Sequence, residues 1–212
     1  MSTRRCSIQR ADHVIRAEIS GTVGRDRTWH DVRVALPTDP LQTARLVLTP
    51  VGLDDIADLI VLHEDPLVER WTGPWTHAAT TAWVRGMAER WACDQVGKWL
   101  ARDRRQGLLV GRGGFTRFDL DGEAVLELGW SVRDSLTGRG YATEIGRAAL
   151  DWRAHFFPQL PVVAFTEVHN LASRAVMRRL GLRAAGIIRR EGLLEGRTGV
   201  HPDAPFALYR QD

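Results

Sequence analysis

The sequence predicts a mixed α/β fold: a central sheet with helices on both faces, in one domain preceded by a short extension. Apolar alternation marks a run of strands between residues 98 and 132. From there strand, helix, strand, helix and strand follow in turn, the order that builds a mixed sheet. A chain of 212 residues with 44% hydrophobic and 26% charged residues has the size and composition of a single globular domain.

Residues 1–40 read as an N-terminal extension and 41–212 as the domain. Within the extension, 14–19 and 28–35 read as the two strands of a hairpin, with Gly21 and Gly24 between them. A poorly ordered extension is the alternative. Pro37-Thr38-Asp39-Pro40 punctuates the entry to the domain. Residues 44–49 read as its first strand. A helix over 53–60 carries acidic residues in its first turn, where the helix dipole favours them, and Glu64-Asp65-Pro66 stops it. Residues 68–75 read as a loop holding Trp71 and Trp75, broken by Gly73-Pro74. Thr76 or His77 caps a longer helix with a stripe of Ala79, Trp83, Met87 and Trp91, whose tryptophans read as core.

Strands follow at 98–102, 108–118 and 124–132, with turns at 103–107 and 119–122; the Asp121-Gly122 pair is a hairpin signal. Residues 162–166 form an apolar run suited to a buried strand. A short helix over 171–180 ends at Gly181, and 184–190 and 206–210 read as the last strands. The loop at 195–199 has the composition of a mobile segment.

The stretch 123–157 organises the rest. Val125, Glu127, Gly129 and Ser131 lie on one face of a strand, and Leu126, Leu128, Trp130 and Val132 on the other. Ala142, Ile145, Ala149, Trp152 and Phe156 then recur at helical spacing. Between strand and helix stands Thr137-Gly138-Arg139-Gly140-Tyr141-Ala142. Glycines at a helix entry let backbone N–H groups approach a ligand, and the first helical N–H groups have no internal partner. A strand, a glycine turn and a helix together suggest a pyrophosphate cradle; an ordinary strand-to-helix turn is the alternative. Thr143 stands where a dinucleotide fingerprint needs a third glycine, and no G-K-[ST] is present for a P-loop.

Gly138-Arg139-Gly140-Tyr141-Ala142-Thr143-Glu144, after a strand ending in Glu127-Leu128-Gly129-Trp130, resembles the GNAT superfamily of acyl-CoA N-acyltransferases. The RimJ/RimL-type branch, which acetylates protein N-termini and small amines, gives the nearest likeness. Asn170-Leu171-Ala172-Ser173-Arg174-Ala175-Val176-Met177 and Leu180-Gly181-Leu182 resemble its downstream signature, and Thr43-Ala44-Arg45-Leu46-Val47-Leu48 its first strand. The resemblance covers roughly 41–210. It implies a mostly antiparallel sheet with a splayed strand pair holding CoA, and acetyl-CoA as co-substrate with no metal. Trp130, Ser131, Val132 and Arg133, with Gly138, Arg139, Gly140, Tyr141, Ala142 and Thr143, would then bind the cofactor. Asn170 would bond the pantetheine arm, and Trp71 and Trp75 would wall the acceptor site. The superfamily cradle begins with Gln or Arg where this chain has Thr137, so Arg139 or Arg133 would supply the charge.

The implied reaction is direct transfer to a primary amine, which needs positioning and a proton acceptor. The sequence accords with that: neither cysteine adjoins the motifs, and no serine sits in a G-x-S-x-G elbow. Glu127 is the base candidate, an ionisable residue between apolar neighbours, where burial raises a carboxylate's pKa; a salt bridge to an arginine is the alternative. Glu167 is the second candidate, with an exposed strand end as its plainer reading. Many superfamily members place a Tyr where Met177 stands, and Met cannot donate a proton. Ser173 is then the candidate to assist thiolate departure, or else it caps its helix with Asn170. Transfer of a longer acyl chain, and an acyl-CoA-binding regulatory module without catalysis, are the alternatives for the whole.

Composition bounds the partners. The net charge is +3, Lys98 is the only lysine, and no long basic run argues for nucleic acid. Cys6 and Cys93 read as free thiols of a reducing compartment. No apolar run approaches the ~20 residues of a membrane span, and the N-terminus lacks the apolar core of a signal peptide. A cytoplasmic enzyme is expected, with acetyl-CoA and an amine acceptor as partners, no nucleic acid, no membrane, and a homodimer left open.

Overall fold

The alternating stretches assemble into one nine-stranded sheet in the computed structural model, which describes residues 17–18, 40–197 and 199–211. Its strands are β1 (Ala17–Glu18), β2 (Leu41–Gln42), β3 (Leu46–Pro50), β4 (Lys98–Asp103), β5 (Leu109–Leu120), β6 (Glu123–Val132), β7 (Val162–Glu167), β8 (Arg183–Leu193) and β9 (Val200–Gln211). They lie in the order β1-β8-β9-β7-β6-β5-β4-β3-β2. All neighbours pair antiparallel except β6 and β7. The mixed, mostly antiparallel sheet expected from the sequence is the one observed. The expected hairpin of the extension lies outside the described residues, apart from the two residues of β1 that pair with β8.

Among the described residues five α-helices cover the two faces: α1 (Ile56–His63), α2 (Pro66–Thr72), α3 (His77–Asp94), α4 (Tyr141–Phe156) and α5 (Leu171–Arg179). Alternation along the strands splits the core accordingly. Leu100 turns toward Leu59, Leu62, Val84 and Met87 of α1 and α3. Trp99, Leu126 and Leu128 turn the other way, onto Ile145, Ala149 and Trp152 of α4 and Met177 of α5. Trp91, Trp99 and Trp152 pack edge to face there, with centroids 5.0 to 6.2 Å apart.

Several boundaries move from their expected places, each for a local reason. Residues 44–45 are a turn, not strand, because the Thr43 hydroxyl captures the Leu46 N–H at 2.9 Å and closes a β2–β3 hairpin. Residues 68–72, expected as loop, are helical: Asp65 accepts the Leu67 N–H at 3.1 Å, and Pro66 occupies the first helical position. Thr76 does cap α3, accepting the Ala79 N–H at 3.1 Å. Its buried stripe, however, is Thr80, Val84 and Met87; Ala79 is exposed. The last two strands run well beyond the expected limits and pair as far as Leu193 with Val200. Cys93 is disulfide-bonded rather than the free thiol expected. A disulfide does not favour a reducing compartment. Among the described residues no helix is long and apolar enough to cross a membrane.

One irregularity positions the site. Although β6 continues to Val132 and β7 to Glu167, the two pair only at Leu126–Val162 and Glu127–Val163. Beyond Glu127 each strand keeps its outer neighbour and they part from one another. The splayed pair implied by the family resemblance is therefore present.

Candidate active site

A cleft of about 2950 Å³ opens where β6 and β7 part. Its lining joins the polar face of β6, the heads of α4 and α5, the end of β7, and the tryptophans of α2, α3 and the loop between them. Glu127 and Gly129 face into it, as strand alternation requires, while Leu126 and Leu128 are buried against α4.

Glu127 is not an isolated carboxylate. Its Oε2 accepts a hydrogen bond from Lys98 Nζ at 3.0 Å, and its side chain is 19% exposed against 6% for the lysine. Lys98 Nζ also donates to the Gly114 carbonyl at 2.8 Å. Burial holds the Lys98 ammonium below the usual lysine range, with the Glu127 charge opposing. Gly129 makes room for the pair: a Cβ there would stand 2.9 Å from Glu127 Oε1 and 3.1 Å from Lys98 Nζ. The ion pair, given above as the alternative and to an arginine, is present and is made to the chain's one lysine.

A second polar group sits on the same face. Arg112 Nε donates to His63 Nε2 at 3.3 Å, and His63 Nδ1 lies 3.0 Å from Thr80 Oγ1. Because the guanidinium can only donate, Nε2 accepts, and the imidazole proton resides on Nδ1. Burial, and then the Arg112 charge, lower the His63 pKa to about 4, so the ring is neutral at physiological pH. Its ring lies 4.2 Å from that of Trp75, and the Arg112 guanidinium covers Trp83 at 4.6 Å. Burial pushes Arg112 down to about 10, with Glu127 opposing.

At the far end stands the glycine turn. Gly138 and Gly140 have φ of 72° and 82°, the left-handed region that glycine occupies without strain. Gly140 is the N-cap of α4 and offers no side chain to the helix's first N–H groups. Tyr141, Ala142 and Thr143 line the cleft there, so the donors of a sixteen-residue helix open on it. Arg45 fastens this turn from outside. It donates to the Arg139 carbonyl at 2.9 Å, covers the Tyr141 ring at 4.3 Å, and bonds Glu144 through Nε at 2.7 Å. Burial alone raises the Glu144 carboxyl. Hydrogen bonds from Thr43 Oγ1 and Arg45 outweigh it and hold the group below its ordinary range.

Asn170 is buried and caps α5, its Oδ1 accepting the Ser173 N–H at 3.1 Å. The cap is therefore the Asn170 side chain, and the Ser173 hydroxyl is not used for it. Ser173 and Met177 both line the cleft. Trp71 reaches toward His169 in the β7–α5 connection, with centroids 5.3 Å apart.

The structure thus brings Glu127, Trp130, Ser131, Val132, Gly138, Gly140 to Thr143, Asn170, Ser173, Trp71 and Trp75 to one cleft. Arg133 and Arg139 are outside its lining: Arg133 Nε lies 4.0 Å from Asp65, and Arg139 offers its carbonyl to Arg45. Glu167, expected as an exposed strand end, is only 6% exposed and lines the cleft, because β7 carries it inward past the point of splay. Trp83, read as core, also lines it. Sequence reading missed Arg45, His63, Lys98 and Arg112. Only Lys98 carried a signal, as the single lysine in an arginine-rich chain.

Fold, cleft and glycine-headed helix agree with the family resemblance, and direct comparison establishes it. The chain belongs to the GNAT acetyltransferases: residues 45–183, the greater part of its length, match the family described as acetyltransferase (GNAT) domain. It is 28% identical over 152 residues to the uncharacterized protein YkkB of Bacillus subtilis (strain 168), covering 71% of this chain and 88% of that one. Among solved structures it resembles an acetyltransferase from Agrobacterium tumefaciens str. C58, with a TM-score of 0.64, 24% identity, and 89% of this chain and 99% of that one covered. It also resembles RimL, a ribosomal L7/L12 α-N-protein acetyltransferase solved with coenzyme A, with a TM-score of 0.65, 18% identity, and 80% and 94% of the two chains covered. These are likenesses of fold.

Proposed function

We propose that the protein is an acetyl-CoA-dependent N-acetyltransferase that acetylates a primary amine by direct transfer. One observation carries the reading: a single cleft joins the uncapped head of α4 to Glu127 across the gap between β6 and β7. The residues fit the cofactor. The amides of Gly138 to Thr143 would hold the pyrophosphate, Arg147 and Arg179 line the cleft and add positive charge, and the parted strands would admit the pantetheine arm.

Acetyl-CoA, when bound, supplies the thioester carbon that the amine nitrogen attacks. Glu127 accepts the proton the amine gives up, directly or through a water, held in place by Lys98. As the carbon–sulfur bond breaks, the Ser173 hydroxyl hydrogen-bonds the departing thiolate. Trp71 and Trp75 bound the acceptor's side of the cleft. CoA bound to the RimL structure supports the cofactor assignment.

The test is an acceptor screen with detection of free CoA thiol, run beside calorimetry of acetyl-CoA binding. Binding together with amine-dependent thiol release is expected. Acetyl-CoA binding without release from any amine would leave a non-catalytic acyl-CoA module. Better turnover with a longer acyl-CoA would reassign the donor.

A further inference from the structure

Among the buried cations lining the cleft, Arg112 stands without an ion pair. Lys98 and Glu127 compensate each other. Arg112 is 8% exposed, and among the described residues its side chain's only hydrogen bond is the one from Nε to a neutral imidazole. None of the described carboxylates lies within ion-pair distance of it. The guanidinium stays charged at physiological pH, since burial lowers it only to about 10. A buried cation without a counter-ion is unfavourable, and a planar fork of donors suits an oxyanion. Trp83 covers one face of the guanidinium and His63 holds Nε, which fixes the orientation of the group. Its terminal nitrogens are not among the sealed polar atoms, and the residue lines the cleft.

We propose that the acceptor is a primary amine that also carries an oxyanion, a carboxylate or a phosphate, and that Arg112 binds this group while the amine addresses Glu127. The inference rests on the acetyltransferase reading and names its substrate class. Register sets the spacing. Arg112 pairs with Ser131 and Thr116 with Glu127, four residues apart along β6. At ~3.3 Å per residue the two backbones are ~13 Å apart, and both side chains reach inward. An acceptor with several bonds between amine and anion fits this distance better than an α-amino acid.

The experiment compares matched acceptors: 4-aminobutanoate, 6-aminohexanoate and the dipeptide Ala-Ala, each beside its amide, and 3-aminopropyl phosphate beside 3-aminopropanol. Thiol release gives kcat/KM, and thermal shift without acetyl-CoA gives binding independent of turnover. For wild type, anionic acceptors should be favoured about ten- to a hundredfold, the size of a charge-assisted hydrogen bond. Arg112→Met should abolish the preference with acetyl-CoA affinity unchanged, and Arg112→Lys should restore part of it. A preference for carboxylate or for phosphate identifies the anion. Equal turnover of acid and amide by wild type overturns the proposal even if the variants fail to fold, as does a preference that survives in Arg112→Met. If acetyl-CoA does not bind at all, the acetyltransferase reading falls, and this one with it.

Discussion

Lys98 Nζ lies 3.0 Å from Glu127 Oε2, a buried ion pair on the floor of the cleft with Gly129 leaving space beside it. Under the proposed mechanism Glu127 would have two separable roles, as proton acceptor and as counter-ion to Lys98.

Glu127→Gln should lower turnover by about 10²- to 10⁴-fold while acetyl-CoA affinity holds. The loss should shrink as pH rises, because more of the amine is already neutral. The variant also strands Lys98, and breaking a buried pair on one side costs about 3–5 kcal/mol. The double variant Glu127→Gln with Lys98→Met should therefore recover thermal stability and remain slow. Recovery of turnover along with stability would make Glu127 a structural partner only, and attention would pass to Glu167.

His63 should make the fold acid-sensitive. Its pKa falls from 6.5 to about 4 on folding, so between these values the unfolded chain binds more protons than the native one. Stability should then decline as pH drops through that window, by about 3 kcal/mol in all, and be steady above it. Urea denaturation at a series of pH values measures this, and NMR of the ring reads the titration directly. A ring that titrates near 6.5 in the native protein would contradict the assignment.

Gly140→Val should weaken acetyl-CoA binding. Gly140 adopts φ of 82°, which a β-branched residue resists, and the resulting shift would displace the amides at the head of α4. Calorimetry on folded protein is the check; unchanged affinity would remove the cradle from this turn.

Ser173→Ala should reduce turnover more than it reduces acetyl-CoA affinity. Because Asn170 already caps α5 through the Ser173 N–H, the substitution leaves the cap intact. Little change in melting temperature is expected. Wild-type turnover would return Ser173 to a bystander.

Much of the fold was legible because period and punctuation agree. The alternation from Val125 to Val132, the Asp121-Gly122 turn and the helical stripe after Gly140 each appear as read. The α2 helix was missed although Asp65 and Pro66 announce it, since Trp71, Trp75 and the Gly73-Pro74 between them suggested a loop. Of the site, the motif-bearing residues were legible and their partners were not. Arg45 meets Glu144, Arg112 meets His63, and Lys98 meets Glu127 only once strands and helices far apart in the chain come together. Strand alternation gives the face a residue occupies, and says nothing of who stands opposite.

The parting of β6 from β7 has a consequence for association. A free strand edge at the rim of a sheet recruits foreign chains, and proteins blunt such edges with charge, bulges or cover. Here the two edges face one another inside the molecule, each still anchored by its outer neighbour. Facing inward, they offer less to another folded chain than an edge at the rim would, and suit a single extended chain entering the gap.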